Sequence, residues 1–171
     1  YIYSDTNESR ILKIPKIVDN YKKYKKEKEY LVGEIGSLEV FSNVITDFSF
    51  NVTNSYTVAL LHSLGVKRVT LSLELIDKEI ENLINNYHAR YGKHPNLELI
   101  KKTTKELMVL KLNLGSYGDS RYLRDRFNNK YKIIKKDQYF YIYDYKETIR
   151  ESSDDYYFSI GINYLRDEFL S

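Results

Sequence analysis

At 171 residues with 42% apolar content, the chain is long enough to bury a core of its own, which excludes a disordered tail. Lys and Arg exceed Asp and Glu by 27 to 24, a net +3 that by itself points to no polyanionic partner. The absence of cysteine excludes disulfides, thiolate zinc sites, iron–sulfur ligation and a Cys nucleophile within the segment, and suits a reducing cytoplasm.

The chain opens on YIY rather than Met, which reads as a piece of a longer protein. No apolar run approaches the roughly 20 residues of a membrane helix, and no signal-peptide pattern is present, so no membrane association is expected. Eighteen tyrosines and seven phenylalanines would suit a stacking platform for nucleic acid, but only as exposed rings in a basic groove. Codon bias in a Lys-, Asn- and Ile-rich chain is the favoured account of the tyrosines.

RILKIPKIV, Arg10 to Val18, reads as a strand ending at Pro15. Asp19 or Asn20 can cap a Lys-rich helix running to Tyr30, either a phosphate-binding patch or a solvated face. Tyr30 to Val32 gives a short buried strand. The Gly33/Gly36 loop after it lacks the Walker and dinucleotide spacings. VITDFSF, Val44 to Phe50, is β-branched and aromatic, hence a strand. SYTVALLHSLG predicts a helix with Ser55 at the N-cap, Val58, Leu61 and Leu64 along one side, and Gly65 at its end. VKRVTLSLEL is the next strand. Asp77 then caps a helix whose Ile80, Leu83, Ile84, Tyr87 and Tyr91 form one stripe, stopped by Gly92 and Pro95.

LELI and ELMVLKLNL, within Leu97 to Leu114, read as two strand pieces. From residue 44 the order is therefore strand, helix, strand, helix, strand, which implies parallel strands joined by right-handed crossovers. A doubly wound sheet and part of a (β/α)8 barrel both fit. Residues 1–114 are assigned to this α/β portion and 115–171 to a β-rich extension that completes or caps it. There FNNK turns a hairpin, YFYIYDY is its later strand, RESSDD is a linker and YYFSIGINY a last strand.

Parallel strands gather chemistry at their carboxyl ends. Asn51, Asn54 and Ser55 follow one strand, Ser72 and Glu74 the next, and Asn113 the third. Glu74 and Ser72 are the candidate catalytic pair. Burial of Glu74 at a barrel mouth would raise its pKa for acid–base work, and the competing reading is a helix cap or a lysine pair. Asn51, Asn54, Ser55 and Asn113 are candidate substrate-binding groups, although asparagine after a strand is also ordinary capping chemistry. Asn51-Val52-Thr53 matches a glycosylation acceptor, which a cytosolic fold makes accidental. Asp125 and Arg126 are expected as a structural ion pair. His62, His88 and His94 show no metal-ligand spacing, and no nucleophile elbow, HExxH or glycine-rich nucleotide loop is present.

VGEIGSLEV, DFSFNVTNSYT with LHSLGVKRVTLSLEL, LELI followed by ELMVLK, and YLRDRFNNKYKI occur in this order over most of residues 30–134. Together they resemble the collagenase-like peptidases of unassigned catalytic type, peptidase family 32 of that group. The resemblance implies the carboxyl-terminal half of a TIM-barrel-like domain acting on a peptide or protein substrate. Other branches of the family support hydroxylation of RNA bases or quinone precursors and carry cysteine-bound iron–sulfur clusters. Just after LMVLK, where a cysteine is common in the family, this chain has Leu112-Asn113. A cluster is therefore not expected here, and the alternative is a non-catalytic, tRNA- or rRNA-binding subunit. Half a barrel would also leave sheet edges open, predicting either a homodimer or a hairpin tucked across the gap.

Overall fold

A computed structural model describes residues 2–4, 10–14, 29–112, 114, 121–136 and 138–169. The expected Lys-rich helix, apart from Glu29 and Tyr30, and the end of the first expected strand lie outside the described residues, as does Asn113. The chain divides into two compact units, residues 1–100 with 152–165 and residues 101–151 with 166–171.

In the first unit, strands β1 (Ile2–Ser4), β2 (Arg10–Lys13), β3 (Glu29–Val32), β4 (Val44–Thr46), β5 (Arg68–Thr70) and the start of β6 (Leu97–Thr103) form one sheet in that order. β1 pairs antiparallel with β2, and each successive pair from β2 to β6 is parallel. Strand order never reverses, so this run is not the doubly wound arrangement, which needs a reversal point. No barrel closes among the described residues; the fold is mixed α/β, with a parallel run in one sheet and a separate antiparallel sheet.

The parallel connections contain helices α1 (Ser37–Val40), α2 (Ser55–Ser63) and α3 (Asp77–Tyr91). Alternation along each strand separates two faces, and both are buried. One face sends Val69, Leu71, Leu97 and Leu99 against Val58 and Leu61 of α2 and Ile80, Leu83, Ile84 and Tyr87 of α3. The other carries Ile11, Leu31 and Ile45, but also Arg68, Thr70 and Glu98.

α3 has the bounds that its periodicity predicts, and Gly92 closes it in the left-handed region at φ 63°. Its cap differs from expectation. Ile76 holds the N-cap position, with Glu79 accepting the Ile76 N–H at 2.9 Å, while Asp77 accepts the Ser152 and Tyr157 hydroxyls at 2.6 and 3.0 Å. Tyr91 leaves the buried stripe and lies against the Tyr87 ring at 4.8 Å between centroids. Leu64 likewise falls past the end of α2 and is exposed. VITDFSF is not one strand: β4 stops at Thr46, Asp47 caps a 3-10 turn over Phe48–Phe50, and pairing resumes at Val52 opposite Leu71.

The segment Tyr156 to Tyr164, expected as a strand, begins in helix α4 (Asp154–Ser159) and turns before β12 (Tyr164–Asp167), which pairs with β6. Ser153 caps α4 by accepting the Tyr156 N–H at 3.2 Å. Tyr157 is fully buried in the main core, and the Tyr156 hydroxyl donates to Glu81 of α3 at 2.8 Å. That bond pushes the Tyr156 hydroxyl up to about 12 and lowers the Glu81 carboxyl, because the charged acceptor and the neutral donor each favour the other's state.

The second unit is built on a four-stranded antiparallel sheet of β7 (Glu106–Leu110), β10 (Tyr139–Asp144), β9 (Lys130–Lys136) and β8 (Tyr122–Arg124), in that spatial order. β11 (Thr148–Ile149) pairs antiparallel with the far end of β6 and covers that edge. No helix among the described residues is long and apolar enough to cross a membrane.

Candidate functional site at the strand ends

Because β2, β4 and β5 run parallel, their carboxyl ends lie along one edge of the first unit. Lys13 is the last residue of β2, Asp47 follows β4, Asn51 follows the 3-10 turn, and Ser72 follows β5. Two polar pairs form there.

In the first, the Ser72 hydroxyl donates to Asn51 Oδ1 at 2.8 Å, across 21 residues of sequence. Asn51 adopts the left-handed conformation at φ 50°, ψ 49°, which asparagine tolerates better than most residues. With Oδ1 occupied, the exposed Asn51 amide presents its NH2 donors outward. Ser72 is itself buried and also accepts the Glu74 N–H at 3.3 Å. Its proton is directed to an amide oxygen rather than to a base.

In the second pair, Lys13 Nζ lies 3.1 Å from Asp47 Oδ2. The Asp47 side chain is 1% exposed and that of Lys13 34%, so the carboxylate sits inside while the ammonium reaches outward. Asp47 Oδ1 also accepts the Phe48 N–H at 2.9 Å, which fixes the carboxylate plane. Sequence reasoning missed both residues. Reading VITDFSF as an unbroken strand hid Asp47 inside it, although an acid directly after VIT satisfies the same strand-end rule that selects Asn51.

The other expected site residues form neither of these pairs. Glu74 is exposed, so the burial expected for it is absent; it lines a depression of about 290 Å³ with Thr53, Leu75 and Glu79. A comparable depression of about 320 Å³, lined by Leu38, Phe41, Leu64 and Val66, opens beside the amino ends of β4 and β5, away from the rim. Asn54, not Ser55, caps α2, its Oδ1 accepting the Thr57 N–H at 2.9 Å and the Thr57 hydroxyl at 3.2 Å. Ser55 is buried and accepts a hydrogen bond from Arg90. Both therefore serve α2 and α3.

Asp125 and Arg126, in the second unit, do not form the expected ion pair. Asp125 accepts the Phe127 and Asn129 N–H groups at 2.8 and 2.9 Å, the Asn129 side chain at 2.8 Å and the Tyr131 hydroxyl at 3.0 Å, closing the β8–β9 turn. The Asn129 side chain contributes most to holding the Asp125 carboxyl below its ordinary value. Arg126 lies over the Phe127 ring instead, 4.6 Å from its centroid. An aspartate here satisfies turn amides that its neighbouring arginine cannot reach as an acceptor.

His62 is engaged on both ring nitrogens. Nε2 accepts the Asn96 N–H at 3.3 Å, so the ring proton sits on Nδ1 and is donated to the Val66 carbonyl at 2.9 Å. No group of three or more His, Asp or Glu side chains among the described residues is placed to hold a metal ion.

No family model matches the chain, and neither the curated proteins nor the solved structures give a match.

Proposed function

We propose that the chain is the carboxyl-terminal part of a (β/α)8-barrel hydrolase similar to the collagenase-like peptidases, acting in a reducing cytoplasm on extended or unfolded peptide. Sequential parallel strands β2 to β6 with buried polar groups on the face away from the helices are what half of such a barrel provides. The observation that carries the reading is the Ser72–Asn51 hydrogen bond, which joins the ends of consecutive strands and aims an amide at the rim.

In this reading the Asn51 NH2 group donates to a substrate carbonyl and Ser72 holds its orientation. Asp47 takes a proton from the attacking water as its oxygen bonds to the carbonyl carbon, and the Lys13 ammonium stabilises the oxyanion. Asp47 returns that proton to the amine nitrogen as the C–N bond breaks and the carbonyl re-forms. Glu74, on the exposed lip, contacts the peptide farther from the scissile bond.

The test is steady-state hydrolysis of fluorescently labelled gelatin by the 171-residue chain. Asp47→Asn keeps the side-chain shape and removes the base, and is expected to lower kcat/KM by roughly 10²–10⁴. Ser72→Ala releases the amide and is expected to lower it by about tenfold, the scale of one hydrogen bond. A parent chain that cleaves no faster than the Asp47→Asn variant would overturn the proposal.

A further inference from the structure

The modest net charge of the whole chain conceals a segregation. The second unit holds fourteen Lys and Arg against nine Asp and Glu, a net +5, while the first holds thirteen against fifteen, a net −2. Within the second unit, Arg124, Lys130, Lys132 and Lys136 share one face of the antiparallel sheet.

Directly paired residues share a face, and the register is Tyr122 with Lys132, Arg124 with Lys130, Tyr139 with Lys136, Tyr141 with Ile134 and Tyr143 with Lys132. Tyrosines thus run down β10 beside the cations of β9, with Lys111 just past the end of β7. Lys136 Nζ lies 5.9 Å from the Tyr141 centroid and Lys111 Nζ 5.8 Å from that of Tyr139. Tyr145 extends the row past β10, with Lys130 at 5.4 Å, Lys132 at 5.9 Å and the Tyr122 ring edge-on at 5.7 Å. Tyr122 and Tyr145 are 49% and 44% exposed, which places aromatic surface in water beside ammonium groups. Among the described strand residues the acid on this face is Glu106, which accepts the Tyr143 hydroxyl at 3.5 Å. The opposite face buries Ile133 and Phe140.

A core-packing explanation accounts for Tyr143, which is buried, but not for exposed rings that alternate with cations. Cations beside rings raise the affinity of a platform for a ligand that has both π-faces and negative charge at short, regular spacing. We propose that this face binds single-stranded nucleic acid, with bases stacking on Tyr122, Tyr145 and Tyr141 and phosphates lying along Lys130, Lys132 and Lys136. Duplex is disfavoured because its bases are already stacked on one another. The inference rests on the second unit alone, so it stands or falls separately from the hydrolase reading of the rim.

The test is fluorescence anisotropy of a labelled single-stranded oligouridylate of roughly 12 nucleotides titrated with the full chain, against the matching DNA strand and an RNA duplex. Both single strands are expected to bind, the duplex more weakly, with affinity falling as salt rises. Tyr145→Leu is expected to weaken binding about tenfold and Tyr145→Phe to restore it, since stacking needs the ring and not the hydroxyl. Lys130→Gln with Lys132→Gln, substitutions at exposed and half-exposed positions, should lower the log–log salt slope by about 0.7 per lysine. No binding at low salt, equal binding of duplex, or single-strand binding untouched by either set of variants would each overturn the proposal.

Discussion

Glu98→Ala is expected to lower the unfolding free energy by about 3–5 kcal/mol, the cost of breaking a buried ion pair from one side. Arg68 Nη1 meets Glu98 Oε2 at 3.0 Å with the two side chains 8% and 2% exposed. The Thr70 hydroxyl donates to the other carboxylate oxygen at 3.0 Å, and the Tyr164 ring lies 3.3 Å from the guanidinium carbon. Removing the carboxylate leaves a guanidinium and a hydroxyl in a site that water does not reach. The pair as a whole is a different matter, since desolvation offsets most of its Coulomb attraction. Replacing both partners, Arg68→Met with Glu98→Leu, is expected to be within about 1–2 kcal/mol of the parent. Urea unfolding midpoints check both. A single variant as stable as the double one would show that the pair is not buried as described. Arg68 opens β5 and Glu98 is the second residue of β6.

Tyr157→Ala is expected to cost a further large increment, about 3–5 kcal/mol, because it empties an aromatic volume from the core between α3 and α4. Tyr157→Phe separates the ring from its hydroxyl. It loses the donation to Asp77, which still accepts from Ser152, and about 1–2 kcal/mol is expected. The neighbouring Tyr156–Glu81 bond adds a pH signature. Glu81 is lowered from 4.5, so its contribution is present above that value and is lost as pH falls through the lower, folded value. Tyr156 is raised from 10 to about 12, so its contribution is present below pH 10 and is lost on rising through about 12. Glu81→Gln should flatten both limbs of the stability profile. An unchanged profile would show that α4 is held by ring burial alone.

Local pattern carried the first unit well. The alternation from β4 to β6, the extent of α3 up to Gly92 and the parallel sense of the strands follow from periodicity and element order, and those strands do bring Asn51 and Ser72 together. What the pattern could not reach was set by partners distant in sequence. YYF, at the start of the expected strand, favours β structure, yet Ser153 caps a helix there and Tyr156 and Tyr157 reach α3, so tertiary contacts override propensity. Lys13 and Asp47 lie 34 residues apart, and only the arrangement of β2, β3 and β4 makes them neighbours. Asp125 illustrates the opposite error. Adjacent opposite charges suggested a pair, whereas the turn amides compete for the same carboxylate at shorter range. Charge segregation was equally hidden, because the boundary at residue 100 and the return of residues 152–165 to the first unit are properties of the fold.

The claim on which the site depends is that parallel pairing of β4 and β5 puts Asn51 beside Ser72. Cross-strand nuclear Overhauser effects in an isotopically labelled chain measure this directly. Contacts from the Asn51 side-chain amide to the Ser72 β-protons are expected, together with a parallel pattern linking Val52 to the Ser72 amide, whose N–H bonds the Val52 carbonyl at 3.0 Å. Antiparallel contacts between the two strands, or an Asn51 side chain near neither Ser72 nor Val52, would contradict it.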